Sequence, residues 1–128
     1  VIGDRAFISG NCAIHQFVKI GRLAMLGGLS AISQDVPPFF TTRPASLNTI
    51  AACNIVGMRR AGLTPDERTQ VRKAFALLYR SKLNVRQAIR QIRSTFSTGP
   101  VLELCDFVEK SKRGICSHAG NEPEGAVE

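Results

Sequence analysis

The chain has 128 residues, 44% of them hydrophobic, and a formal net charge of +7. That length suits one compact unit or two small ones, and no apolar run approaches the roughly 20 residues that cross a bilayer as a helix. Ten of the seventeen basic residues fall between Arg59 and Arg93, which favours phosphates, acidic proteins or anionic headgroups as partners; one Tyr, no Trp and the lack of a nucleic-acid-binding motif argue against nucleic acid.

The first 36 residues carry a six-residue beat. Ile2, Ile8, Ile14, Ile20, Leu26 and Ile32 recur at that spacing, and four residues after each stands Ala6, Cys12, Val18, Ala24, Ser30 or Val36, all small or slim. Neither a helix nor a plain strand has this period; a parallel β-helix does. Each hexad then forms one short side of a triangular coil, with the aliphatic residue inward and the slim one near the corner. Six hexads make about two coils, whereas solenoids need three or more repeats and a cap at each end. Pro37 and Pro38 supply a downstream stop. The first residue is Val1 and nothing near it reads as a signal peptide, so more coils are expected before it in a longer parent.

Residues 39–47 read as an extended connector. A first helix is expected from Asn48, as N-cap, to Arg60. Thr64-Pro65-Asp66-Glu67 signals the next: a capping hydroxyl, a proline at the first position and a glutamate at the third. Val71, Ala74, Phe75 and Leu78 mark its apolar face. Asn84 with Gln87 opens a further helix with Val85, Ala88, Ile89, Ile92 and Phe96 on one face and Arg86, Arg90 and Arg93 on the other. Gly99-Pro100 ends it, and a last helix carries Val101, Leu104, Cys105 and Val108 to about Gly114. The expected organisation is β-helix coils over 1–38, a connector over 39–47, an α-helical domain over 48–116, and a disordered polar tail over 117–128 that includes His118. Cys12, Cys53, Cys105 and Cys116 form no C-x-x-C, and with two histidines in the chain no zinc-ligand spacing exists. Cys12 and Cys105 read as small hydrophobes in a reducing cytosol. No metal and no tightly bound cofactor is expected.

A string of motifs in order, AIHQFVKIG, MLGG, SQDVPPF, GMRRAGL and LLYRS, resembles the C-terminal half of the bacterial acyl-carrier-protein:UDP-N-acetylglucosamine O-acyltransferases, over nearly the whole chain to about Gly114. The hexads alone are shared with many acetyltransferases and with γ-class carbonic anhydrases; the latter need three zinc-binding histidines and fail on count. The resemblance implies a left-handed β-helix, a cytoplasmic homotrimer with sites between subunits, and transfer of a 3-hydroxyacyl chain from acyl carrier protein to the 3-hydroxyl of UDP-N-acetylglucosamine, the first step of lipid A synthesis.

Carried over residue by residue, His15 and Gln16 match a pair that contacts donor or nucleotide-sugar. Met25 and Gly28 match positions bordering the acyl groove, where a glycine goes with a longer chain; Gly27-Gly28 also suits a plain tight corner. Asn54, Arg59 and Arg60 match a stretch near the UDP moiety, where arginine forks suit a diphosphate; the same two arginines also complement a helix C-terminus. Ala61 stands where the family has a basic residue and Val56 where it has an acidic one. Arg72, Lys73, Arg86, Arg90 and Arg93 imply a basic surface for docking the carrier protein, and equally suit a solvated helix face. No catalytic residue is assigned: the family's general-base histidine belongs to an earlier coil, so the isolated chain is expected to be inactive. The competing readings are a non-catalytic trimeric module that binds a nucleotide-sugar or carrier protein, and a coenzyme A-dependent hexapeptide acyltransferase, against which the helices and the IHQF string argue.

Overall fold

The computed structural model describes residues 1–118. Short strands β1 (Phe7–Ile8), β2 (Ala13–Ile14), β3 (Met25–Leu26) and β4 (Ala31–Ile32) lie on successive sides of a coil. Phe7 pairs in parallel with Met25 and Ala13 with Ala31, each eighteen residues on, three hexads per coil. Ile2 pairs with Ile20 on the third side.

The coil does not stop at Pro37-Pro38. Phe40–Thr42 is a strand, β5, which pairs in parallel with β3 in the register Met25↔Thr41. Val36 bridges Ile20, and Leu47 bridges Ala31. The expected connector is thus most of a third coil, stacked at sixteen rather than eighteen residues because the side between Ile32 and Val36, at the end of the second coil, is two residues short. The prolines are tolerated because they fall between the donors that matter: Val36 N–H donates to Lys19 O and Phe39 N–H to Arg22 O.

The expected first helix is also corrected. Thr49–Cys53 is a strand, β6, antiparallel to β5, and helix α1 spans only Ile55–Arg60, capped by Asn54. Asn48 is no helix cap. It sits at φ +50°, and its Oδ1 accepts from Ser33 N (2.7 Å) and Gln34 N (3.1 Å), closing a corner of the coil below. Helices α2 (Pro65–Tyr79) and α3 (Val85–Thr95) both open with complete capping boxes, from Thr64 with Glu67 and Asn84 with Gln87. Helix α4 (Pro100–Lys110) ends before Gly114, and residues 111–116 run as a strap to a last strand, β7 (Ser117–His118), paired in parallel with β6. His118 therefore does not belong to a polar tail; residues 119–128 of that expected segment lie outside the described residues.

The core deepens along the stack. Ile2 and Ile14, inward residues of the first coil, are 58% and 36% exposed, whereas Ile20 and Ile32, directly above them, are each 2% exposed. At the other end Phe40 of β5 meets Phe75 and Tyr79 of α2 edge-on, at ring separations of 5.2 and 5.7 Å, and His118 packs 5.2 Å from Phe75. Two polar clasps bind strap and helices to the coils. Arg22 donates to both carboxylate oxygens of Glu103 on α4 at 2.9–3.1 Å and stacks over Phe39. Buried Asp35 accepts from Lys19 N (2.8 Å) and Ser111 Oγ (2.7 Å).

Gly27 and Gly28 separate two demands. A Cβ on Gly27 would stand 2.8 Å from Pro44 N and from Thr42 O in the third coil, whereas one on Gly28 would meet nothing nearer than Gly10 O at 3.8 Å. Gly27→Ala should lower Tm by about 5–10 °C through overpacking, and Gly28→Ala should leave it within about 2 °C, as read by differential scanning calorimetry. Burial lowers the His118 pKa, with a smaller contribution from Arg80 opposed by a hydrogen bond with the Ala51 backbone. The unfolded chain then binds the extra proton between the lowered value and about 6.5. This stabilisation is complete above about pH 6.5 and lost as pH falls below it. The Tm drop between pH 7.5 and 5.5 should be smaller in His118→Phe, which keeps a ring but removes the titration.

Candidate functional site

Alternation along the short strands creates the site. With Ile8 and Leu26 turned toward the core, Phe7 and Met25 face out, aligned by the β1–β3–β5 register into an outward column Phe7–Met25–Thr41. The turn from β6 into α1 lies beside this column. Together they bound a cavity of about 630 Å³ that gathers Met25, Phe7, Leu23, Asn54, Val56 and Arg60. The lining combines these apolar side chains with the guanidiniums of Arg5 and Arg60 and the Asn54 amide, an arrangement that accommodates an amphiphile with an anionic end.

Asn54 is held firmly. Its Oδ1 accepts from Gly57 N (3.0 Å) and its Nδ2 donates to Leu23 O (2.9 Å). The amide therefore ties α1 to the coil corner, leaving one lone pair and one N–H for anything else. Arg60 lines the cavity, whereas Arg59, also exposed on the last turn of α1, does not. Val56 is part of the wall.

The other expected site residues are dispersed. Gly28 is beyond the corner from Met25, near Ser9 and Gly10, and does not line the cavity. His15 and Gln16 follow β2 on another side of the coil, where His15 borders a shallow hollow of about 280 Å³ with Ile14, Ala31 and Leu47. Its Nδ1 is 3.0 Å from Gln16 O and 3.3 Å from Nη1 of Arg113.

The five basic residues do not share one surface. Arg72 and Lys73 of α2, joined by Arg80, surround a cavity of about 560 Å³ floored by Ala52, Cys53 and Phe75. Arg86, Arg90 and Arg93 line another, between α3 and α4. Arg93 is bound there to Asp106 (2.7 Å) and Glu109 (2.5 Å), which raise its pKa and neutralise much of its charge.

Sequence reasoning missed Cys53, Arg80 and Arg113. Cys53 lines both the Met25 cavity and the Arg72 cavity, so the two adjoin across its side chain. Nothing in its sequence context marks it, because β6 was expected as helix. Burial pushes its thiol up to about 12, against the opposing pull of Arg72 and Arg80. At pH 8 it should hold about a thousandfold less thiolate than a free cysteine. Iodoacetamide labelling followed by peptide mapping should find Cys53 slow to alkylate despite bordering two cavities, with the rate rising on through pH 10. Among the described residues no group of three His, Cys, Asp or Glu gathers as for a metal, and no helix is long and apolar enough to cross a membrane.

Known proteins resemble this chain in sequence and fold. The family described as UDP-N-acetylglucosamine O-acyltransferase, domain 2, matches residues 35–116. The acyl-[acyl-carrier-protein]–UDP-N-acetylglucosamine O-acyltransferase of Gloeothece citriformis is 44% identical over 110 residues, which are 86% of this chain and 40% of the relative. That of Burkholderia mallei is 40% identical over 119 residues, 89% of this chain and 45% of the relative. Among solved structures, the UDP-N-acetylglucosamine acyltransferase from Campylobacter jejuni superposes with a TM-score of 0.82 at 32% identity, covering 91% of this chain and 45% of that one. LpxA from Acinetobacter baumannii does so with 0.81 at 40% identity, covering 89% and 45%. The chain spans less than half the length of these relatives. With a family match over the third coil, the helices and the strap, and coils that superpose on those structures, the chain belongs to the UDP-N-acetylglucosamine O-acyltransferase family.

Proposed function

We propose that this chain forms the acceptor-binding and acyl-groove portion of an enzyme that transfers a 3-hydroxyacyl group from acyl carrier protein to the 3-hydroxyl of UDP-N-acetylglucosamine, the first step of lipid A synthesis. The observation that carries the reading is the Met25 cavity, where the apolar column of Phe7 and Met25 meets Arg60 across about 630 Å³. The apolar lining suits an acyl chain. Arg60, on the last turn of α1, suits a diphosphate through paired charge-assisted hydrogen bonds. Arg72 and Lys73, with Arg80 beside them, and separately Arg86 and Arg90, suit the acidic carrier protein.

The same reading takes the coil as left-handed, the protein as cytoplasmic and the assembly as a homotrimer. Corner residues with positive φ every six residues, from Arg5 to Leu29, support the handedness. The trimer would supply what one chain separates: His15 and Gln16 lie on a different side of the coil from Arg60, and a neighbouring copy can bring them to its cavity. Neither histidine of the chain serves as the base in this scheme. His118 is packed among rings, and His15 is reserved for ligand contact, so the isolated chain binds without turnover.

Calorimetric titration of UDP-N-acetylglucosamine tests this. Saturable binding is expected, weakened about 10- to 100-fold in Arg60→Ala, the loss of a hydrogen bond to a charged group, and less than about threefold in the non-lining Arg59→Ala. Absence of saturable binding, or equal effects of the two substitutions, would refute the assignment of the cavity. Release of free carrier protein from acyl carrier protein by this chain would refute the division of labour.

A further inference from the structure

Arg113 lies 98 positions from His15 in the chain, yet its Nη1 is 3.3 Å from the His15 Nδ1. The strap that carries it is fixed to the coils on both sides of the arginine. Ser111 Oγ donates to Asp35 Oδ2 (2.7 Å), Asp35 N donates to Gly114 O (2.9 Å), and Cys116 N donates to Asp35 O (2.9 Å). Gly114 turns there with φ +89°, and the Arg113 Nη1 also donates to Ser33 O at 3.3 Å. The guanidinium is therefore anchored at its backbone and, near its tip, on the turn that follows β4.

The imidazole Nδ1 has two neighbours with opposite demands. The Gln16 carbonyl, at 3.0 Å, can only accept, so it engages Nδ1 only when that atom carries the proton. A guanidinium can only donate, so Arg113 engages Nδ1 only when it is bare and the proton sits on Nε2. The two neighbours thus select opposite tautomers. The tautomer decides whether the outer nitrogen, Nε2, offers a ligand a donor or an acceptor.

We propose that Arg113 is a positioning residue that holds neutral His15 as the Nε2–H tautomer, so that His15 presents a hydrogen-bond donor to an oxygen acceptor, carbonyl or phosphoryl, on the bound ligand. The ligand clause rests on the reading of His15 as a substrate contact; the tautomer assignment rests on the charge-assisted contact from Arg113 outweighing the shorter but neutral one to Gln16. Asp35 enters as the anchor of the strap, and Ser33 as the rest for the guanidinium.

Long-range 15N–1H correlation spectra of the 128-residue chain, at a pH where the imidazole is neutral, read the tautomer directly. His15 is distinguished from His118 by its disappearance in His15→Gln. The Nε2–H form should dominate in the wild type. In Arg113→Ala the ratio should move toward Nδ1–H at least about threefold, as befits an exposed charged contact. Arg113→Lys keeps a donor on a flexible stem and should restore part of the ratio. Arg113 is exposed, so all three proteins should share one Tm. An unchanged ratio in Arg113→Ala, or a wild type already in the Nδ1–H form, overturns the proposal. Titration with UDP-N-acetylglucosamine separates the two claims. A ratio that moves together with a threefold or greater loss of affinity supports both. A ratio that moves while affinity is unchanged upholds the tautomer assignment and refutes His15 as a ligand contact.

Discussion

The corner conformation governs this molecule. Arg5, Asn11, Phe17, Leu23 and Leu29 all adopt positive φ, at intervals of six, followed by Phe39, Ala45 and Asn48. Each non-glycine corner costs about 1–2 kcal/mol, and none of the eight is β-branched, the residue class that tolerates this region least. The cost is recovered only when coils stack: Ile20, Ala24, Leu26 and Ile32 bury completely or nearly so between the coils above and below. The slim residues of the hexads, Ala6, Cys12, Val18, Ala24 and Ser30, each stand directly after a corner. The chain has just turned inward there, and a bulky side chain would collide with the next coil. Ser30 is the polar exception. Its hydroxyl reaches Gly27 O, Thr42 Oγ1 and Arg43 O, so it pins the third coil to the second.

The candidate site is built on the outer side of that scaffold. A two-residue strand can present only one outward side chain, and stacking at eighteen residues aligns those side chains into columns. The column of Phe7 and Met25 owes its straightness to the parallel register, not to any contact between side chains. The antiparallel return of β6 along β5 then brings Cys53 and Asn54 to the column's edge. Asn54 converts a strand end into a helix start by capping Gly57, while its other arm holds the Leu23 carbonyl. Arg60 is delivered to the same cavity one and a half turns later.

The clasps explain why a short helical layer stays seated. Four helices with one apolar face each cannot hold shape alone. Phe75 and Tyr79 lock onto Phe40, Glu103 grips Arg22 with two oxygens, and Asp35 collects the strap. The strap runs back along the coils beside Asp35, and so one arginine near the end of the described chain meets a histidine near its beginning.

Much of this was legible in the sequence, and for identifiable reasons. The hexads announced a parallel coil because their period matches no other element. Both long capping boxes were readable because capping is a contact across three residues. The motif strings from Ala13 to Ser81 carried the family. What local reasoning misjudged was the stretch from Pro37 to Cys53. The hexad spacing slips by two just before it, between Ile32 and Val36, and only pairing with β3 makes Phe40–Thr42 a strand. Pairing with β5 does the same for Thr49–Cys53, in which Ile50, Ala51 and Ala52 are equally content in a helix. The site was half-legible: Met25, Asn54 and Arg60 were named from the family resemblance and share a cavity, but Gly28, His15 and Gln16 were named with them and stand elsewhere. Cys53, Arg80 and Arg113 had no sequence signal, since each matters only through neighbours distant along the chain. The sequence by itself determined the period of the coil, the helix starts and the family. Tertiary structure alone decided where the coil ended and which charges met, because strand pairing and ion pairing depend on what the rest of the chain brings alongside.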